Sequence, residues 1–131
     1  MLLIIKSVKR ILAEVIVPVS MIMLITLITA CTEAAHDQAD GVKAKINSGA
    51  LVLDVRTPGE YNGWHYPGAL NIPLQQLEPR LDELGDRERP IIAYCTVGSR
   101  SHYAVMLLRS YGFSDVLNGG GLREMKRLEK N

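Results

Sequence analysis

Apolar and polar residues alternate in blocks beyond about residue 40, in a pattern that predicts alternating strands and helices. Short apolar runs at 51–55, 69–72, 91–94 and 115–118 have the length and composition of buried strands. Between and after them, apolar residues recur at helical spacing within 40–47, 74–84, 99–110 and 122–128, with Asp40 as a candidate helix cap and Pro79 as a break. We therefore predict an α/β domain with a four- to five-stranded parallel sheet and helices on both faces.

The first 31 residues form a separate block. Lys6, Lys9 and Arg10 precede residues 15–30, which carry no charge and are almost wholly apolar, a pattern typical of a signal peptide. Residues 27–31, Leu-Ile-Thr-Ala-Cys, resemble a bacterial lipobox, which implies cleavage before Cys31 and lipid attached to it. The alternatives are an uncleaved membrane anchor and soluble secretion.

This block sets the expected domain organisation and location. We predict a signal peptide or anchor at 1–31, a polar linker at 32–39 and one domain at 40–131. We expect the domain to be extracytoplasmic and tethered to a membrane, on the periplasmic side of the inner or outer membrane if the host is Gram-negative.

Charge and cysteine content narrow the function classes. The formal net charge is +1, and no basic run is present, so nothing favours nucleic-acid binding. Cys31 and Cys95 are the two cysteines of the chain. Because the predicted domain holds one thiol, with no second to resolve a disulfide, a disulfide oxidoreductase is not expected. We predict no metal and no cofactor.

Cys95 follows the apolar run 91–94 and precedes the predicted helix, so it lies at the base of a tight loop. Successive N–H groups in such a loop form an anion-binding nest, and the helix start adds partial positive charge. A thiol in that position is expected to have a lowered pKa and to act as a nucleophile; the alternative is an inert buried cysteine. The residues predicted to bind substrate are Thr96, Val97, Gly98, Ser99 and Arg100.

Asp54 is a carboxylate at the end of a buried strand and needs a partner. Arg56 and Arg100 are the candidates. We assign Asp54 and Arg56 a supporting role at the site, with a purely structural ion pair as the alternative.

Four aromatic side chains lie near these motifs. We predict that His65 orders its own loop, that His102 is solvated or lies at the pocket rim, and that Trp64 and Tyr66 pack.

Three motifs, in order, resemble those of the rhodanese-like sulfurtransferases, and the chain is similar to their single-domain, extracytoplasmic members. They are Asp54-Val55-Arg56 with Glu60-Tyr61, His65-Tyr66-Pro67-Gly68-Ala69 and Asn71-Ile72-Pro73; the loop 95–100; and Asn118-Gly119-Gly120. The resemblance spans about 40–128 and departs from the family pattern at Trp64, where glycine is usual, and at Leu122, where tryptophan is common.

The resemblance implies a two-step sulfur relay. The Cys95 thiolate takes the outer sulfur of thiosulfate or a similar donor, and the resulting persulfide passes it to a thiol or to cyanide. The alternative is a membrane-tethered persulfide carrier or sulfur-binding module with little turnover. Tyrosine-type phosphatases use Cys-x₅-Arg, one residue longer than the Cys-x₄-Arg of this chain, and the shorter loop favours one sulfur atom over a phosphate.

Overall fold

A computed structural model describes residues 40–130, which alternate strands with helices as the sequence predicts. The strands are β1 (Leu51–Asp54), β2 (Leu70–Asn71), β3 (Ile91–Tyr94) and β4 (Val116–Asn118). The helices are α1 (40–47), α2 (Pro58–Gly63), α3 (Leu74–Leu77), α4 (Ser99–Ser110) and α5 (Leu122–Lys130), and a 3₁₀ segment, Glu78–Leu84, follows α3. The predicted signal peptide, Cys31 and the linker lie outside the described residues. Within 40–130, none of the helices has the length and apolar character needed to cross a membrane.

The four strands form one parallel sheet in the order β2-β1-β3-β4. This arrangement confirms the predicted α/β architecture with four strands. The central strands β1 and β3 end together, because Asp54 pairs in register with Tyr94. Cys95 follows Tyr94 directly, so both candidate site segments leave the sheet at its carboxyl edge, where ligands bind in folds of this class.

Successive side chains of β1 and β3 enter two apolar clusters on opposite faces of the sheet. Leu53 and Ala93 belong to the larger cluster, whereas Val52 and Tyr94 belong to the smaller one. The larger cluster is completed mainly by α3, the 3₁₀ segment and α4, and the smaller one by α1, α2 and α5. Helices therefore cover both faces of the sheet, as predicted. Each fully buried aliphatic side chain in these clusters contributes about 1.5–3 kcal/mol to the stability of the fold. Cys95 lies in the larger cluster, on the α4 side.

The limits of individual helices follow from local residues. The run 74–84 is divided near Pro79, as predicted: α3 ends at Leu77, and Arg80 has non-helical angles of φ −115° and ψ 18°. Residues 40–47 are helical, as predicted, and the cap predicted at Asp40 stays a prediction because the residues before it lie outside the described range. Gly112 has φ +87° directly after the cap residue Tyr111, which confirms the predicted end of α4.

Candidate active site

Cys95 is a free thiol, fully buried at the carboxyl end of β3. Its N–H donates to the carbonyl oxygen of Gly120 at 3.2 Å. Gly98, with φ +93°, turns the chain into α4, and its N–H donates to Cys95 Sγ at 3.1 Å. The predicted order of strand, tight loop and helix is therefore confirmed, with the sulfur beneath the loop.

Hydrogen bonds to the sulfur outweigh the effect of burial. Burial alone would raise the pKa of the Cys95 thiol, but the N–H groups of Ser101, Val97 and Gly98 and the Ser101 hydroxyl lower it below its ordinary value. Two of these donors, Val97 and Gly98, lie within the predicted nest at 96–100. Ser101 lies one residue beyond it and was not among the predicted site residues.

Ser101 is fully buried on the sheet side of α4. Its Oγ lies 2.7 Å from Asn118 Oδ1, 3.0 Å from the carbonyl oxygen of Gly98 and 3.8 Å from Cys95 Sγ. A hydroxyl has one proton, and these distances favour donation to Asn118 while Cys95 is neutral. A signal for Ser101 exists in the sequence: it opens the i, i+3, i+4, i+7 stripe whose other members are Ala104, Val105 and Leu108.

The glycine turn that begins α5 lies against the loop at very short range. Leu122 N–H donates to the carbonyl oxygen of Thr96 at 3.1 Å, and Val97 forms an antiparallel bridge with Gly121. A Cβ on Gly121 would lie 2.7 Å from that Thr96 oxygen, and one on Gly119 would lie 2.8 Å from Ile92 Cγ2. The turn therefore has no room for a side chain at either position, and Gly119 is the one that belongs to the third sequence motif.

Arg100 pairs with Glu60, so of the two candidate partners of Asp54 the structure gives Arg56 and not Arg100. Arg100 Nη2 lies 2.7 Å from Glu60 Oε1, and Nη1 lies 2.9 Å from Oε2. Thr96 Oγ1 also donates to Glu60, at 2.7 Å. The first turn of α4 places Arg100 next to the start of α2, whereas the carboxylate of Asp54 is fully buried and already paired with Arg56.

Glu60 also caps α2. Thr57 Oγ1 accepts from Glu60 N–H, and the Glu60 carboxylate accepts from Thr57 N–H at 3.1 Å, which completes a capping box. Hydrogen bonds from Arg100 and Thr96 hold the pKa of Glu60 far below its ordinary value, against the opposing effect of partial burial. The sequence motif contains Glu60, but we did not assign it to the site, because its partners lie 36 and 40 residues away.

Asp54 and Arg56 form a buried ion pair on the opposite face of the sheet from Cys95. Arg56 Nε lies 2.9 Å from Asp54 Oδ1, and Arg56 Nη2 donates to the carbonyl oxygen of Trp64 at 2.7 Å. The guanidinium carbon lies 5.4 Å from the ring centroid of Tyr94. These contacts fix the segment after α2 and favour the structural interpretation of the pair.

The histidines and neighbouring aromatic residues have mainly structural contacts. His65 Nδ1 lies 3.1 Å from the carbonyl oxygen of Tyr61, and the two rings stack with centroids 3.9 Å apart, as expected for a residue that orders its loop. His102 is exposed on the first turn of α4. Trp64 and Tyr66 pack against the smaller apolar cluster.

A cleft of about 480 Å³ adjoins the loop and lies between it and the start of α5. Its walls are formed by Thr96, Val97, Gly120, Gly121, Arg123 and Glu124. Val97 is 79% exposed at its edge. The cleft offers a small molecule a place beside the loop that covers the buried sulfur.

Comparison with known proteins agrees with this geometry. The family model described as Rhodanese-like domain matches residues 38–127. Thiosulfate sulfurtransferase PspE of Escherichia coli is 35% identical over 74 residues, which cover 56% of this chain and 71% of PspE.

Two solved structures share the fold. The structure of a rhodanese with anions from E. coli superposes with a TM-score of 0.56 at 34% identity, over 58% of this chain and 91% of that one. The human single-domain sulfurtransferase TSTD1 gives a TM-score of 0.61 at 29% identity, over 67% of this chain and 91% of that one. With three ordered motifs, a four-stranded parallel sheet and a cysteine loop at its carboxyl edge, the chain belongs to the rhodanese-like domain family.

Proposed function

We propose that this protein transfers sulfane sulfur from thiosulfate or a similar donor to a thiophilic acceptor, through a persulfide on Cys95. The single observation that carries the proposal is the convergence of N–H donors on a buried thiol at the end of β3. The similarity to PspE, which is named a thiosulfate sulfurtransferase, supports the choice of donor.

In the first step, the Cys95 thiolate attacks the outer sulfur of thiosulfate. A bond forms between Cys95 Sγ and that sulfur while the S–S bond of thiosulfate breaks, and sulfite leaves with the bonding electron pair. The N–H groups of Val97, Gly98 and Ser101 stabilise the thiolate before attack. Because they are fixed by the loop and the first turn of α4, they need little rearrangement during the reaction.

In the second step, a thiolate or cyanide attacks the terminal sulfur of the persulfide and Cys95 leaves as a thiolate. The thiol is fully buried in the resting protein, and the persulfide extends it by an S–S bond of about 2 Å. The transferred sulfur is therefore the atom placed to meet an acceptor, and the cleft beside Val97 is the approach we propose for it.

The test combines a thiosulfate:cyanide assay with intact mass measurement on wild type and Cys95→Ser. We expect thiocyanate formation that requires Cys95, and one added sulfur atom on the wild type after treatment with thiosulfate. Persulfide formation without thiocyanate would indicate a carrier instead of an enzyme. Absence of both signals from well-folded protein would contradict the proposal.

We further propose that this activity operates outside the cytoplasm, on a membrane tether attached through Cys31. The support comes from the sequence: a basic start, an uncharged apolar stretch and the lipobox-like residues 27–31. Metabolic labelling with a fatty-acid probe tests the tether, and we expect Cys31→Ser to abolish labelling. Equal labelling of both proteins would contradict the lipoprotein assignment.

A further inference from the structure

Both ends of the Cys95 loop bind the same carboxylate. Glu60 Oε1 accepts from Thr96 Oγ1 and from Arg100 Nη2, each at 2.7 Å, and Oε2 accepts from Arg100 Nη1 at 2.9 Å. Oε2 also accepts from the N–H and the hydroxyl of Thr57. Both carboxylate oxygens are fully engaged, so the negative charge is fixed at the loop instead of moving freely in solvent.

The carboxylate of Glu60 offsets the positive charge of Arg100, a residue that the sequence predicts to bind substrate. Arg100 is the cation of the loop, and both of its terminal nitrogens are bound to Glu60. Arg123, which lines the cleft beside the loop, lies 3.2 Å from Glu124, but its side chain is 88% exposed, so this pair is the weaker of the two. Thiosulfate carries two negative charges, and at the loop it meets a cation whose charge Glu60 already offsets.

The effect of the Glu60 charge on the rate of sulfur transfer should depend on the charge of the donor. Thiosulfate and an organic thiosulfonate, such as methanethiosulfonate, present the same kind of terminal sulfur bonded to a sulfonyl sulfur. They differ by one negative charge, because a methyl group replaces one oxygen. Attack by the Cys95 thiolate breaks the corresponding S–S bond in each, releasing sulfite from one and methanesulfinate from the other.

We propose that Glu60 determines donor specificity, by disfavouring dianionic thiosulfate relative to sulfane donors with one negative charge or none. This inference rests on the proposed sulfur transfer. Glu60 does not touch the reacting atoms; it acts through Arg100, whose charge it offsets, and through repulsion of the second charge of the donor. Repulsion between like charges a few ångströms apart, at a partly exposed site, corresponds to a factor of about three to ten in relative rate.

The experiment compares wild type with Glu60→Gln. We measure kcat/KM for thiosulfate and for methanethiosulfonate, with cyanide as the common acceptor. Glutamine keeps an oxygen acceptor for Arg100 but removes the charge. We expect the ratio of the two kcat/KM values, thiosulfate over thiosulfonate, to rise about three- to tenfold at low ionic strength. The rise should shrink in about 0.5 M salt, where exposed charges are screened.

A matched control is Glu83→Gln. Glu83 is also paired with an arginine, Arg80, at 2.6 Å, but the pair lies on the solvent-facing side of the 3₁₀ segment and not at the loop. We expect this variant to keep the wild-type ratio. The ratio does not depend on the fraction of folded enzyme, so partial misfolding of Glu60→Gln leaves the comparison valid.

The outcomes separate this inference from the proposed function. An unchanged ratio, or an equal loss with both donors, would mean that Glu60 only holds the loop in place, and would overturn the inference. If the wild type shows no transfer from either donor that depends on Cys95, the proposed function fails first, and the donor preference fails with it.

Discussion

Removal of the Ser101 hydroxyl tests how the fold controls the reactivity of Cys95. In Ser101→Ala the N–H of residue 101 remains on the sulfur, and the hydroxyl 3.8 Å from Sγ is lost. Asn118 Oδ1 loses a donor at 2.7 Å but keeps the N–H of Gly120 at 2.9 Å. The perturbation is therefore confined to one proton donor beneath the loop.

The magnitude follows from the geometry. A hydrogen bond to a charged group contributes about 1.5–3 kcal/mol, and a neutral one about 1 kcal/mol. The 3.8 Å separation is long and the backbone donors remain, so we expect loss of the hydroxyl to destabilise the thiolate by about 1.4 kcal/mol. This energy corresponds to a change of about one unit in the pKa of the thiol. The pKa of Cys95 rises in the variant, because the thiolate has lost a donor.

The assay is the rate of Cys95 alkylation by iodoacetamide as a function of pH. We expect the midpoint to move upward by about one unit, with up to about a tenfold slower reaction below it. Ser110→Ala is the matched control: it removes a hydroxyl from the same helix, but one that is exposed and bonded to the carbonyl oxygen of Leu107. Urea unfolding should show a loss of about 1 kcal/mol for Ser101→Ala.

An unmoved midpoint in a folded Ser101→Ala variant would refute the reasoning, since the backbone N–H groups alone would then set the thiol pKa. A downward shift would also refute it. A shift of equal size in Ser110→Ala would show that the effect arises from the helix in general and not from the contact with Cys95.

The other predictions concern the turn, the ion pair and pH. Gly121→Ala should lower the unfolding free energy in urea by about 1–3 kcal/mol and slow sulfur transfer, because its Cβ would lie 2.7 Å from the carbonyl oxygen of Thr96. The control Gly63→Ala adds a Cβ in open space and should change neither stability nor rate. Equal effects of the two substitutions would contradict the steric argument. Arg56→Met should lower the unfolding free energy by about 3–5 kcal/mol, and adding Asp54→Asn should recover part of it; no recovery would argue against the ion pair as the cause. Because the pKa of Cys95 is lowered on folding, its ionisation stabilises the fold fully above the unfolded pKa of about 8.5, and this contribution is lost as pH falls through the folded pKa. Cys95→Ser should remove this rise of stability with pH, and an identical pH profile in the variant would contradict it.

The fold was predictable because local pattern and global architecture agree. The apolar runs around Leu53 and Ile92 have the length of buried strands, and the residues between them repeat at helical spacing, which leaves a parallel sheet as the natural arrangement. The position of Cys95 at a strand end before a helix was enough to predict its neighbourhood.

The partners of charged and polar side chains were harder to predict. Spacing alone leaves Arg56 and Arg100 as equal candidates for Asp54, because the choice depends on how α2 lies against α4. The structure resolves it through Glu60, which is 40 residues from Arg100 in sequence. The apolar stripe of α4 is enough to place Ser101 on the sheet side of the helix, but its contact with the sulfur depends on how near the first turn of α4 lies to the end of β3.

The size of α2 has a consequence for local unfolding. The helix has six residues and no fully buried side chain, and Tyr61 is its one contact with the smaller apolar cluster, so packing contributes little to its stability. Its capping box uses the same carboxylate that binds Thr96 and Arg100. Opening of α2 therefore removes the carboxylate from Thr96 and Arg100 in the same event, while the glycine turn still holds the loop at Thr96 and Val97. Amide hydrogens in α2 should exchange with solvent well before those of the loop and of the central strands β1 and β3.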